Sequence, residues 1–139
     1  MNAQNNAILV KLLNFGDNGI FKIHGKNLHC FIPEFSEYQF NTQWEKNKGK
    51  SIIGKEFNAE LFLQFVSLNK TMSETSCVKK IKWFTYAIQG KIVSKNKYTC
   101  IIDCDILINI ELPHKKSSSK FKIGNWIKST GRLDIHLKK

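Results

Sequence analysis

Arginine is nearly missing from this sequence: Arg132 is the only one among 22 basic residues. Its planar fork is the usual means of bidentate phosphate or base recognition. That scarcity argues against recognition built on such forks and leaves the point charges of lysine. Proline occurs twice, at Pro33 and Pro113; Pro33 is expected to end a strand or sit at a sheet edge. The four cysteines, Cys30, Cys77, Cys100 and Cys104, are scattered and too few for a disulfide scaffold. No run approaches the ~18 apolar residues of a membrane-spanning helix. The first residues, MNAQNNAILVKLLNF, have no basic n-region, and Lys11 breaks their apolar run, so no secretory signal is expected. Reduced thiols and a cytoplasmic location follow as expectations. The phosphate loop GxxxxGK[ST] is absent too, so nucleotide hydrolysis has no support.

What is present is positive charge, unevenly placed. Residues 1–70 hold eight lysines against six acids, a surplus of two. Residues 71–139 hold thirteen lysines and Arg132 against five acids, a surplus of nine, which completes the net +11. Such a surplus favours an acidic partner, nucleic acid being the commonest. A compositional bias toward Lys, Asn and Ile is the competing explanation. With 42% hydrophobic residues the 139-residue chain can bury a core unaided. Its length suits one domain, or two very small ones sharing a core.

Apolar residues recur with period two, the signature of strands. AILVKLLNF and GIFKIH flank the turn signal GDNG, and HGKN leads into LHCFIP. FSEYQFNTQWEK breaks the period; Phe40 and Trp44 lie four apart and Ser36 can cap, so a short helix is expected near 36–46. EFNAELFLQFVSL places Phe57, Ala59, Leu61, Leu63 and Phe65 on one strand face. NKTMSETSC, residues 69–77, reads as a linker between a first β-module at 1–68 and a second, basic one at 78–139, unless the two form one compact domain. In the second module, VKKIKWFTYAIQGKIVS reads as one long strand with Gly90 at a bend, and YTCIIDCDILINIEL as another. FKIGNWI and RLDIHL then form a hairpin around KSTG, with Leu133, Ile135 and Leu137 inward. IIGKEFNAELFLQF and KIGNWIKSTGRLDIH share an outline in which Gly54 and Gly124 coincide, as in two related modules. The fold class expected is all-β, a small antiparallel barrel or curved sheet.

The order of the second half, a long strand with a central glycine in YAIQGKIVS, then a hairpin, a loop and IGNWIKSTGRLDIH, resembles an OB-fold barrel over residues 81–137. The resemblance implies a ligand face made by the middle strands and adjoining loops, here residues 98–112, the 113–120 loop and the 128–131 turn. The helix usual between the third and fourth strands is replaced by the short HKKSSSK.

Each candidate chemistry competes with a plainer account. Zinc needs close Cys or His pairs. Cys100 and Cys104 on one extended strand would stand about 13 Å apart. Alternation instead assigns Cys100, Ile102, Cys104, Ile106, Ile108, Ile110 and Leu112 to a buried face, free cysteine behaving as a small hydrophobe. Asp103 and Asp105 share the opposite face; the pair could hold Mg²⁺ but reads better as solvated. Cys30 has His24 and His29 nearby for nucleophilic work, yet strand neighbours point to opposite faces and no orienting acid is placed to help. No catalytic residue, metal or cofactor is therefore expected.

Basic residues interleaved with aromatics are a stronger pattern, because single strands are held by phosphate-tracking charges and stacking rings. Lys80, Lys82, Phe84 and Tyr86 alternate on one face of the long strand. Lys95, Lys97 and Tyr98 follow, then Lys115, Lys116, Lys120, Lys122, Trp126, Lys128 and Arg132. The RNP motif of an RRM is absent. The expectation is a non-catalytic binding protein for an acidic partner, single-stranded nucleic acid first. The alternative is an immunity or antitoxin-type protein that blocks a toxin, which for this basic chain would need an acidic partner surface.

Overall fold

The computed structural model describes residues 4–13, 17–33, 53–112 and 120–138. Nine strands lie among them: β1 (Gln4–Leu13), β2 (Asn18–Ile23), β3 (Lys26–Phe31), β4 (Glu56–Lys70), β5 (Cys77–Lys82), β6 (Thr85–Lys95), β7 (Thr99–Asp103), β8 (Leu107–Glu111) and β9 (Trp126–Lys138). The helix expected near 36–46, with Ser36 at its cap, lies outside the described residues, as do Lys115 and Lys116.

Strands β1, β2 and β3 pair antiparallel in sequence, and β4 returns to lie beside β1. That is a Greek key, spatial order four-one-two-three. Strands β6, β7, β8 and β9 repeat it. The two long return strands then pair antiparallel with each other, from Asn58↔Lys138 to Lys70↔Ile127. Each also closes the other's key by a parallel contact. β9 meets β3 at Phe31↔Asp134, and β4 meets β8 from Leu61↔Ile108 to Leu63↔Ile110. Two five-stranded circuits thus share the β4–β9 ribbon. The outer path, β1-β2-β3-β9-β6-β7-β8-β4 and back to β1, closes an eight-stranded barrel of mixed direction.

The likeness of the halves extends to detail. A bulge follows Leu9 in β1, and one follows Ile92 in β6. Gly54 donates its N–H to the Leu9 carbonyl and Gly124 to that of Ile92, each at 2.8 Å. Both glycines have positive φ, 85° and 95°, a conformation that side chains with a Cβ adopt only under strain.

Alternation puts one face of every barrel strand inward. Leu9, Phe21, Cys30, Leu61, Leu133 and Ile135 join Ile88, Ile92, Ile102, Ile108, Ile110 and Ile127 in a single hydrophobic cluster. Each large apolar side chain buried there contributes about 1.5–3 kcal/mol. Where the circuits meet, side chains stand in for ladder bonds. Asn5 donates to the Leu107 carbonyl at 2.8 Å and accepts the Leu107 N–H at 3.1 Å. On the other side His29 donates its backbone N–H to the Tyr86 hydroxyl at 2.8 Å.

Three expected continuities are corrected. Residues 98–112 are not one strand but the β7–β8 hairpin, turning at Cys104–Ile106 with Asp105 at φ 73°. The long strand from Val78 to Ser94 is the β5–β6 hairpin, turning at Trp83 and Phe84. KSTG, expected to turn, runs straight through β9, where Gly131 stands opposite Tyr86 on the inner face. Gly90 does mark a constriction: a Cβ there would lie 2.5 Å from the Asp103 carbonyl oxygen.

Candidate functional site

The barrel walls divide by charge. β5, β6 and β9 lie side by side and carry eight basic residues against one acid, Asp134. Asp134 is 2% exposed and accepts both arms of the Arg132 fork, at 2.7 and 2.9 Å. The β7–β8 hairpin has no lysine and exposes Asp103, Asp105 and Glu111. The β5-β6-β9 wall is thus basic and the polar face of residues 98–112 acidic, with Asp105 of the hairpin 3.9 Å from the Lys26 ammonium.

Register places the side chains on the outer side of that wall. Tyr86, Ile88, Gly90 and Ile92 of β6 face inward, so Thr85, Ala87, Gln89 and Lys91 face out. Lys79 lies beside Ala87 and Lys82 beside Thr85. Lys128 lies beside Gln89, and the half-buried Trp126 beside Lys91. Lys79, Lys82, Lys91 and Lys128 are all exposed. Over the seven residues from Thr85 to Lys91 this face extends about 20 Å.

At one end stands the tip of the β5–β6 hairpin. Phe84 packs on Phe31 at 5.4 Å and edge-on to His29 at 5.5 Å between ring centroids. Its carbonyl accepts the Leu133 N–H at 2.7 Å, fastening the turn to β9. Arg132 lies 4.2 Å over the Phe31 ring. Beneath, His29 is buried. The Asn18 amide donates to Asp17 Oδ1 at 2.7 Å, which turns its oxygen toward His29 Nε2, also at 2.7 Å. That oxygen only accepts, so Nε2 carries the proton and Nδ1 faces the Lys80 ammonium at 3.5 Å. Burial, then the Lys80 charge, holds the His29 pKa below its ordinary value, the Trp83 backbone opposing in part.

At the other end Tyr98 is 61% exposed, with the Lys97 ammonium 5.5 Å from its ring centroid. Asn96 Oδ1 accepts the backbone N–H groups of Tyr98 and Thr99 and stiffens this loop. Lys70, Lys120 and Lys122 line an open groove of about 440 Å³ with Leu68, Asn69 and Phe121.

The residues singled out from sequence are thus divided. Lys82, Trp126 and Lys128 share the outer wall, Lys80 and Phe84 belong to the hairpin, and Lys97, Tyr98, Lys120 and Lys122 to the far end. Tyr86 sits in the core with its hydroxyl engaged, Lys95 donates to the Phe121 carbonyl at 2.6 Å, and Arg132 is held by Asp134. Sequence reasoning passed over Trp83, which the single-strand reading placed on the face away from Phe84. Nothing local marked it, because the turn contains no Gly, Asn or Asp.

The three buried cysteines offer no chemistry at neutral pH. Burial pushes the Cys100 thiol to about 11 and Cys104 to about 12, and raises Cys30 further still. His29 lies on the outer side of β3 and Cys30 on the inner, so they form no pair. Among the described residues no three His, Cys, Asp or Glu side chains gather as metal ligands. No protein-family profile matches the chain, and no curated protein is significantly similar to it.

Proposed function

We propose that this is a non-catalytic binding protein whose ligand is single-stranded nucleic acid, held along the outer wall of β5, β6 and β9. The observation that carries this reading is the separation of charge: eight basic residues on three adjacent strands whose one acid is buried and neutralised. Lysines in register along a strand track phosphates as point charges, which needs no arginine fork. The architecture agrees, since each circuit is a closed five-stranded Greek key, as in the OB-like barrels that bind oligonucleotides. Here the wall rather than the acidic middle hairpin holds the ligand. A cytoplasmic location accompanies this reading.

A salt titration of binding to a single-stranded oligonucleotide tests it. Counterion release predicts a linear fall of log K with log salt, with a slope of about −0.7 per phosphate contacted. Absence of binding at about 50 mM salt sinks the proposal. One observation favours the alternative, a protein that blocks an acidic toxin. Ile81 is 56% exposed beside Trp83, and an apolar side chain has no part in holding phosphate. Stoichiometric capture of an acidic protein without oligonucleotide binding would decide for that alternative.

A further inference from the structure

Trp83 stands at the tip of the β5–β6 hairpin in a conformation unusual for so large a side chain. Its φ is 54°, in the left-handed region where a bulky residue is a genuine outlier. Yet the residue is half exposed, at 51%. The turn is nevertheless rigidly held. Phe84 is wedged against Phe31 and His29, its carbonyl is fastened to Leu133, and the Trp83 ring lies 6.5 Å from His29 at 36°. An exposed aromatic ring is thus presented from a fixed backbone. Lys79, Lys80 and Lys82 lie on the same hairpin, all exposed.

We propose that Trp83 is the stacking platform for one unpaired base of the bound strand, with the lysines of its hairpin taking the flanking phosphates. This rests on the single-strand reading above and adds the element that distinguishes a nucleic acid from any other polyanion. Every base has a π-face to lay on the indole, whereas a duplex keeps its bases stacked on one another. A carboxylate-rich protein segment satisfies the lysines but leaves the ring uncovered.

The test measures binding of a fluorescein-labelled oligothymidylate of about 15 nucleotides to the wild type, W83A, W83F and K128E across a salt series. W83A is expected to weaken binding roughly tenfold with the salt slope unchanged, because stacking releases no counterions. W83F is expected to recover most of the loss, and K128E to flatten the slope by about 0.7. In a W44F/W126F background Trp83 is the remaining indole, and its fluorescence is expected to be quenched on binding. That arm does not depend on W83A folding. Steep, salt-dependent binding that is identical in W83A, or absence of quenching, overturns the platform and leaves the single-strand reading standing. No binding by the wild type overturns both. Competition by polyglutamate as effective as by unlabelled oligonucleotide also overturns the platform.

Discussion

The backbone N–H of His29 donates to the Tyr86 hydroxyl at 2.8 Å, so the third strand of one circuit is tied to the first strand of the other by a side chain reaching out from the core. Tyr86→Phe keeps the ring and removes the acceptor. The buried N–H left behind is expected to cost about 1–3 kcal/mol, read as a lower urea midpoint at constant slope. An unchanged midpoint would mean that water takes over the hydroxyl's place.

His29 gives stability a pH dependence of defined sign. Its folded pKa lies below the ordinary value of 6.5, chiefly through burial and then through Lys80. As pH falls below 6.5 the unfolded chain takes up the proton first, so stability is full above that value and declines toward the folded pKa. Melting temperatures between about pH 7.5 and pH 5 should fall, and His29→Gln should remove part of that fall. A variant with the same profile as the wild type would exclude His29 as its source.

Thiol labelling should discriminate among the cysteines. Cys77 is exposed, whereas Cys30, Cys100 and Cys104 are buried and their thiolates disfavoured. Ellman's reagent at neutral pH is expected to modify Cys77 alone in the folded protein and all four cysteines in denaturant. Prompt reaction of a second thiol in the native state would contradict the buried placement of the other three.

Two glycines should respond differently to alanine. At Gly90 the added methyl group would meet the Asp103 carbonyl oxygen at 2.5 Å and Ile102 Cγ2 at 2.7 Å, and the first of these is backbone that cannot turn aside. Gly90→Ala is expected to cost about 3 kcal/mol or more. At Gly25 there is open space but φ is +78°, so Gly25→Ala should cost about 1–2 kcal/mol. Equal costs in chemical denaturation would refute the clash at Gly90.

The alternation of apolar residues was legible; the places where the chain reverses were not. From Cys100 to Leu112 all seven even-numbered positions are buried, as alternation assigns them, although the chain doubles back between them. Asp103 pairs with Leu107, so a three-residue turn preserves the parity of inward positions, and one strand and a hairpin then share the same pattern. At Trp83 the reversal uses a residue that carries no turn signal. At KSTG the signal is present without a turn, because all four residues are paired within β9, Lys128 to Gly131 with Gln89 to Tyr86 of β6. The basic wall could be composed residue by residue but not assembled, since Lys79 and Lys128 come to share one face only through the pairing of β5 with β6 and β6 with β9.

The shared ribbon also has a consequence for the order of events during synthesis. Of the nine strands described, β9 leaves the ribosome last, yet it closes both circuits. Until it arrives, among the described residues β3 has an open edge, β4 lacks its longest partner and β6 has one edge bare. The nascent chain therefore waits with unpaired strand edges exposed, the condition in which β-proteins aggregate or recruit chaperones. Folding must then join segments far apart in the chain, which makes it slow. The strand that closes both circuits thus decides whether the edges of the earlier ones are covered.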